Sequence, residues 1–156
     1  MDETIASIIS KITVKFPQPT RVPGGHLCSE FYDCSHLVPN DLARLAAYAV
    51  GHLPDDSFDV ALGLAYSGIL FASAVAGGRQ VNIFQKDGEI YGHSIVGKRV
   101  LLVDDVIASG AHMSVAENKV EALGGIVVGY AAIVDRSAGR IGSNDKPVWS
   151  ALQAGI

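Results

Sequence analysis

The chain has 156 residues, 49% of them apolar and 18% charged, with a formal net charge of −4. That length supports one domain with a substantial core, and the negative charge excludes the basic footprint of a nucleic-acid binder. No apolar run approaches the roughly 18 residues of a membrane span, and the acidic start MDETIASIIS lacks the basic flank of a signal peptide, so a cytoplasmic protein is expected.

Ile5, Ile8, Ile9 and Ile12 fall at helical spacing and predict a short amphipathic helix. Pro17, Pro19 and Pro23 make residues 16–25 a loop or an edge segment. Residues 24–37 read GGHLCSEFYDCSHL, in which Phe31 and Tyr32 suit a strand with one ring in and one out. Cys28 and Cys34 have no second pair to complete a zinc site and read as reduced thiols. Asn40 is the expected cap of a helix that carries Leu42, Leu45, Ala46 and Ala49 and ends near Gly51.

Val60 to Leu64 is a short buried strand, and the run Gly63-Leu64-Ala65-Tyr66-Ser67-Gly68 leads into an apolar helix over residues 69–76. On its own, such a loop is either a site or an ordinary β–α turn. Val81 to Phe84 is a third buried strand. It is followed by the polar stretch QKDGEIYGH, residues 85–93, whose Lys86 reads by itself as a solvated hairpin-loop lysine.

The most informative stretch runs from Lys98 to Met113. Val100, Leu101, Leu102 and Val103 follow one another without alternation, the pattern of a strand buried on both faces of a parallel sheet. Asp104 and Asp105 stand where that strand is expected to end, before the small residues Ala108, Ser109, Gly110 and Ala111 and a helical pattern. In open α/β sheets ligands bind at the carboxyl ends of the strands. Loop N–H groups and a helix dipole favour a phosphate. Carboxylates accept hydrogen bonds from sugar hydroxyls, directly or beside a bound Mg²⁺. The stretch therefore suits a sugar phosphate; the plainer alternative is an Asp pair that caps the next turn. Ser114 and Glu117 form a possible capping box, and the helix is expected to carry Val115, Val120 and Leu123 and to stop at Gly124-Gly125. Ile126 to Val134 is another apolar strand, ending at Asp135-Arg136. Strands alternating with helices predict an α/β sheet covered on both faces.

The stretch from Lys98 to Met113 resembles the phosphoribosyl pyrophosphate (PRPP) motif of the type I phosphoribosyltransferases, and the orotate enzymes most of all: an apolar strand, two acidic residues, then a loop such as ITTGGT. Asp104 and Asp105 match the acidic pair, and Ile107, Ser109 and Gly110 lie in the loop. Ala108 and Ala111 stand where threonines are frequent, which leaves the 5′-phosphate to Ser109, His112 and backbone amides. Residues 63–68 look like that family's pyrophosphate loop. This implies that Ala65, Tyr66, Ser67 and Gly68 bind PRPP and that the Ala65–Tyr66 peptide is cis; Ser67 replaces a frequent lysine. Residues 85–93 match the position of the mobile catalytic loop and retain Lys86, Asp87, Gly88 and Glu89. The upstream arginine and lysine have given way to Ile83 and Phe84, or close to them. The resemblance implies that Lys86 approaches pyrophosphate on closure, from its own or from the other subunit. In the early segment Gly25, Phe31, Tyr32 and Asp33 fit, while Gly24 and Cys28 replace common serines; Phe31 and Tyr32 would contact the base. Arg136, in a VDR context, would pair with the orotate carboxylate in a bidentate way that lysine cannot match. Read alone, it is a surface arginine at a strand end. Residues 147–152 resemble the start of the family's last strand.

The resemblance implies the type I phosphoribosyltransferase fold over a single domain, 1–156: a mostly parallel five-stranded sheet flanked by helices, with a small hood from about residues 1–38. It also implies transfer of the phosphoribosyl group from PRPP to orotate, giving orotidine 5′-phosphate and pyrophosphate, in a homodimer. Lys86, Asp104 and Asp105 would carry catalysis. The cofactor would be Mg²⁺, held mainly by PRPP rather than by protein side chains. Two other readings stand beside it: a PRPP- or nucleotide-binding regulatory protein that has lost catalysis, and a phosphoribosyltransferase for another base.

Overall fold

The computed structural model describes residues 2–22, 27–137 and 146–155, so Gly24 and Gly25 of the early segment lie outside the described residues. Helix α1 (Glu3–Ile12) begins where the Asp2 carboxylate accepts the Ile5 N–H at 2.9 Å, and it buries all four of its isoleucines. Strand β1 (Thr13–Arg21) pairs antiparallel with β2 (Leu27–Tyr32) in a separate two-stranded sheet. Of the two expectations for this stretch, residues 16–21 meet the second: they are an edge strand. The prolines leave their mark all the same: pairing breaks register between Lys15 and Thr20, around Pro17 and Pro19, which have no N–H to donate.

Helix α2 (Pro39–Val50) starts earlier than expected, with Val38 rather than Asn40 as its cap. Proline fits the first helical position, where its missing N–H costs nothing. The Asp41 carboxylate then turns back to accept the Val38 N–H at 3.2 Å and also holds Lys11 of α1 at 2.5 Å.

The central sheet contains β3 (Val60–Leu64), β4 (Gln80–Phe84), β5 (Ile90–Tyr91), β6 (Arg99–Ile107), β7 (Ile126–Asp135) and β8 (Val148–Gln153), in the order β5-β4-β3-β6-β7-β8. Five of these strands are parallel, and the two-residue β5 adds an antiparallel edge beside β4. Helices α1, α2 and α3 (Gly68–Ala76) share one core with Leu101, Val103 and Ile133. Helix α4 (Ala111–Ala122) packs on the other face against Val100, Leu102 and Tyr130. β3 is buried at every position because both faces are covered, which is why it reads as an unbroken apolar run.

The helices are brought down onto the sheet by glycine. A Cβ on Gly63 would stand 2.9 Å from both the Ala72 Cβ and the Ile69 Cα. β6 does not end at its aspartates. It keeps pairing with β7 as far as Ile107↔Asp135, whereas its pairing with β3 stops at Val103. The Ser114–Glu117 capping box does not form. Gly110 is the cap of α4 in a left-handed conformation (φ +81°), and Ser114 is already inside the helix, its N–H donating to the Gly110 carbonyl at 2.9 Å. Glu117 instead accepts from the Tyr130 hydroxyl and the Lys146 ammonium. Val115 and Leu123 are exposed, and α4 buries Met113, Ala116 and Val120.

Candidate functional site

The site lies where β3 has ended and β6 has not. There Asp104 and Asp105 have no β3 neighbour, and their own carboxylates take up main-chain donors. Asp104 Oδ1 accepts the Asp105 N–H at 2.8 Å, and Asp105 Oδ1 accepts the Val106 N–H at 2.7 Å. Gly68, the first residue of α3, packs against this point: a Cβ there would stand 2.6 Å from the Val103 carbonyl oxygen and 3.2 Å from Asp104 Oδ1. The loop 65–68 is thereby pressed against the acidic pair. Its Ala65–Tyr66 peptide is cis.

On the α4 side, His112 Nδ1 lies 3.9 Å from Asp104 Oδ2, and its ring is 6.0 Å from Phe84. On the hood side, Cys34 sits in a 3₁₀ turn over residues 34–36, just after β2. Its thiol is pushed up by burial first and then by the charges of Asp105, Asp33 and Asp104. Burial first, then the neighbouring Asp105, also drives Asp104 well above the usual carboxylate range. A cation or a hydrogen-bond donor brought to this pair would find an unbalanced negative charge. Both α3 and α4 start here with no acidic residue in their first turns and no side-chain cap. Two positive helix ends therefore point at the same region. Ser109 Oγ accepts the Ala111 N–H at 3.2 Å and shapes the second loop.

The expected phosphate-end residues are brought together: residues 65–68, Lys86, Asp104, Asp105 and 108–112. Lys86 Nζ lies 4.8 Å from the centroid of the Tyr66 ring. The base-end residues are placed differently. Tyr32 is buried while Phe31 is half-buried. Arg136 is only 5% exposed, so it is not a surface arginine. Its Nε donates to the Gly155 carbonyl at 3.1 Å and its Nη1 to the Glu30 carbonyl at 2.9 Å, and the guanidinium lies 5.2 Å from the Tyr32 ring centroid. The Tyr32 hydroxyl donates to Glu30 at 2.7 Å and is pushed up to about 12 by burial and by that carboxylate.

One residue escaped the sequence reading. Asn82, fully buried in β4, donates to the His93 carbonyl at 2.7 Å and accepts from Gln80 at 2.8 Å. Gly92, at φ +129°, lies so close that a Cβ would stand 2.7 Å from the Asn82 Cγ. The available signal was a lone amide inside the apolar run Val81–Phe84.

This architecture is that of the type I phosphoribosyltransferases. An orotate phosphoribosyltransferase from Aeropyrum pernix superposes with a TM-score of 0.80 at 18% identity, covering 96% of this chain and 93% of that one. An adenine phosphoribosyltransferase from Thermoanaerobacter pseudethanolicus gives 0.75 at 19% identity, covering 96% and 99%. No family model matches the chain. Among curated sequences, the orotate phosphoribosyltransferase of Chlorobaculum parvum is 28% identical over 137 residues, 81% of this chain and 70% of that protein. The Thermus thermophilus orotate phosphoribosyltransferase is 35% identical over 109 residues, 63% of this chain and 58% of that protein. The chain thus spans between about half and three quarters of the length of the curated relatives it matches. The chain is thus similar in sequence to orotate phosphoribosyltransferases and shares the fold of the type I phosphoribosyltransferases.

Proposed function

We propose that the protein transfers the 5-phosphoribosyl group from PRPP to orotate, releasing pyrophosphate. The observation that carries this reading is the meeting of the Asp104–Asp105 pair with two helix-start loops, residues 65–68 and 108–112, at one end of the sheet. Relatives named orotate phosphoribosyltransferase support the choice of base. The fold does not, because an adenine enzyme shares it.

In this reading the aspartates accept hydrogen bonds from the ribose hydroxyls, and the 108–112 loop takes the 5′-phosphate on its amides, Ser109 and His112. Residues 65–68 take the pyrophosphate. The bond at C1 of the ribose breaks through a state with positive charge on the sugar. The protein then acts by positioning, charge stabilisation and exclusion of water rather than through a nucleophile. No cluster of three or more metal-ligating side chains occurs among the described residues. Two adjoining carboxylates nevertheless suit a hard cation that keeps most of its ligands from substrate and water. Bound Mg²⁺ would neutralise charge on the leaving pyrophosphate. Arg136 is the candidate reader of the base carboxylate, with Phe31 and Tyr32 beside the ring.

We treat the chain as one domain with its hood from about residues 1–38, acting in the cytoplasm as a homodimer. Helix α3 supports the dimer: it has no charged residue, yet Leu70 is 67% exposed beside an exposed Tyr66. The two cysteines are free thiols. A steady-state assay with PRPP, orotate and Mg²⁺ tests the activity, and orotate consumption is expected. Tight PRPP binding without turnover on any base would favour the second reading, a regulatory binding protein. The observations on that side are Ser67 in the pyrophosphate loop and the two Arg136 donors, on Nε and Nη1, already given to carbonyls.

A further inference from the structure

Successive side chains of a strand point to opposite faces, so Cys28, Glu30 and Tyr32 share one face of β2. Cys28 and Tyr32 are buried there, and Glu30 is half-buried between them. Glu30 meets both groups of the base end. Its carbonyl accepts from Arg136 Nη1 at 2.9 Å, and its carboxylate accepts the Tyr32 hydroxyl at 2.7 Å. Lys15 is its cross-strand partner, yet among the described residues no ion pair neutralises the Glu30 carboxylate.

Arg136 is held by the carbonyls of Glu30 and Gly155. Carbonyls satisfy its N–H groups and leave its positive charge in place. The guanidinium lies 5.2 Å from the Tyr32 ring centroid. The hydroxyl of that ring feels both charges: beyond the effect of burial, Glu30 raises its proton affinity and Arg136 lowers it. A cation and a carboxylate therefore act on one buried phenol, where charges are screened less than in open water. A base that brings a carboxylate to Arg136 carries the same sign of charge as Glu30. A neutral base does not.

We propose that Glu30 is a specificity residue of the base end: its carboxylate offsets the charge of Arg136 and holds down the affinity for an anionic base. The inference rests on the orotate reading of the site and names the group that limits the preference for a carboxylate. Glu30 also sets the Tyr32 ring through the hydroxyl, so charge and bond have to be separated.

Two variants of the full chain separate them. Glu30→Gln keeps an acceptor for the Tyr32 hydroxyl and removes the charge. Tyr32→Phe keeps the ring and the Glu30 charge and removes the bond. In steady-state assays with PRPP and Mg²⁺, KM for orotate should fall about five- to thirtyfold in E30Q, the range between a screened and a partly desolvated contact of like charges. KM for PRPP should not move, and Y32F should not lower KM for orotate. Inhibition by uracil, which has the same ring without the carboxylate, should be the same in E30Q and the wild type. An orotate KM that stays or rises in E30Q, while the wild type turns orotate over, overturns the role of Glu30 and spares the orotate reading. An equal fall in Y32F makes the bond the cause, and an equal gain for uracil makes the shape of the pocket the cause; either overturns the proposal. A wild-type protein that binds PRPP and consumes no orotate brings down the orotate reading, and this inference with it.

Discussion

At the phosphate end Tyr66, Lys86, Ser109 and His112 are exposed around the acidic pair, while at the base end Tyr32 and Arg136 are buried and hydrogen-bonded into the hood and the tail. The difference follows from what each end is made of. The phosphate end uses strand termini and helix starts, whose main-chain groups have no intrahelical partner and are free to meet a ligand. The base end uses long side chains, which must be held by partners if they are to point one way. Arg136 is held by carbonyls from β2 and from Gly155, so one guanidinium joins three parts of the chain.

The largest expected effect comes from the acidic pair. Replacing Asp104 and Asp105 together with Asn should reduce kcat/KM for PRPP by at least about a hundredfold, the scale of losing preorganised charge stabilisation, with little change in Tm. A loss under tenfold would make the pair a capping device. Gly68→Ala comes next. The added Cβ meets the Val103 carbonyl at 2.6 Å, main chain that cannot swing aside. A destabilisation of about 1–3 kcal/mol is expected from such overpacking, read by denaturant titration, with PRPP affinity falling in parallel.

Arg136→Ala sharpens the contrast between the two ends. It removes two hydrogen bonds from a buried cation. Stability should fall by about 1.5–3 kcal/mol, and KM for orotate should rise far more than KM for PRPP. Equal changes in the two KM values would leave Arg136 as a structural tie between hood and tail and nothing more.

The smallest effect is a pH dependence. The fold keeps the Asp104 carboxyl above the usual carboxylate range, chiefly by burial, so above that range the folded state binds more protons than the unfolded chain. Stability must then fall as pH rises through the elevated folded value. Asp104→Asn mimics the neutral carboxyl and should flatten that decline, raising stability at pH 9 by on the order of 1–2 kcal/mol while changing little at pH 5. Thermal unfolding of both proteins across pH 5–9 checks this, and parallel curves would contradict it.

Much of the sheet was legible because β3, β6 and β7 are buried on both faces and so appear as unbroken apolar runs. The phosphate end was legible for a related reason: its residues are contiguous in two short loops, and the small residues there are demanded by close main-chain packing. Two helix starts were misjudged, one for a local reason and one because of partners distant in sequence. The cap of α2 moved because Pro39 and Asp41 act together, and the Ser114–Glu117 box failed because Tyr130 and Lys146 claim Glu117. Residues 16–21 are the edge segment that the prolines allowed, and β2 lying opposite decided that it is a strand and not a loop.

By itself the sequence determined the alternation of strands and helices, the acidic pair and the two glycine-bearing loops, because each is a local pattern set by burial on both faces or by φ and Cβ limits. Only the tertiary structure decided that Gly68 presses one loop onto Asp104, that Arg136 is sealed between hood and tail, and that Glu89 ties the Lys86 hairpin to Lys119 of α4. Those contacts join residues far apart along the chain, and they exist only once the packed sheet has brought strand ends and helix starts to the same edge.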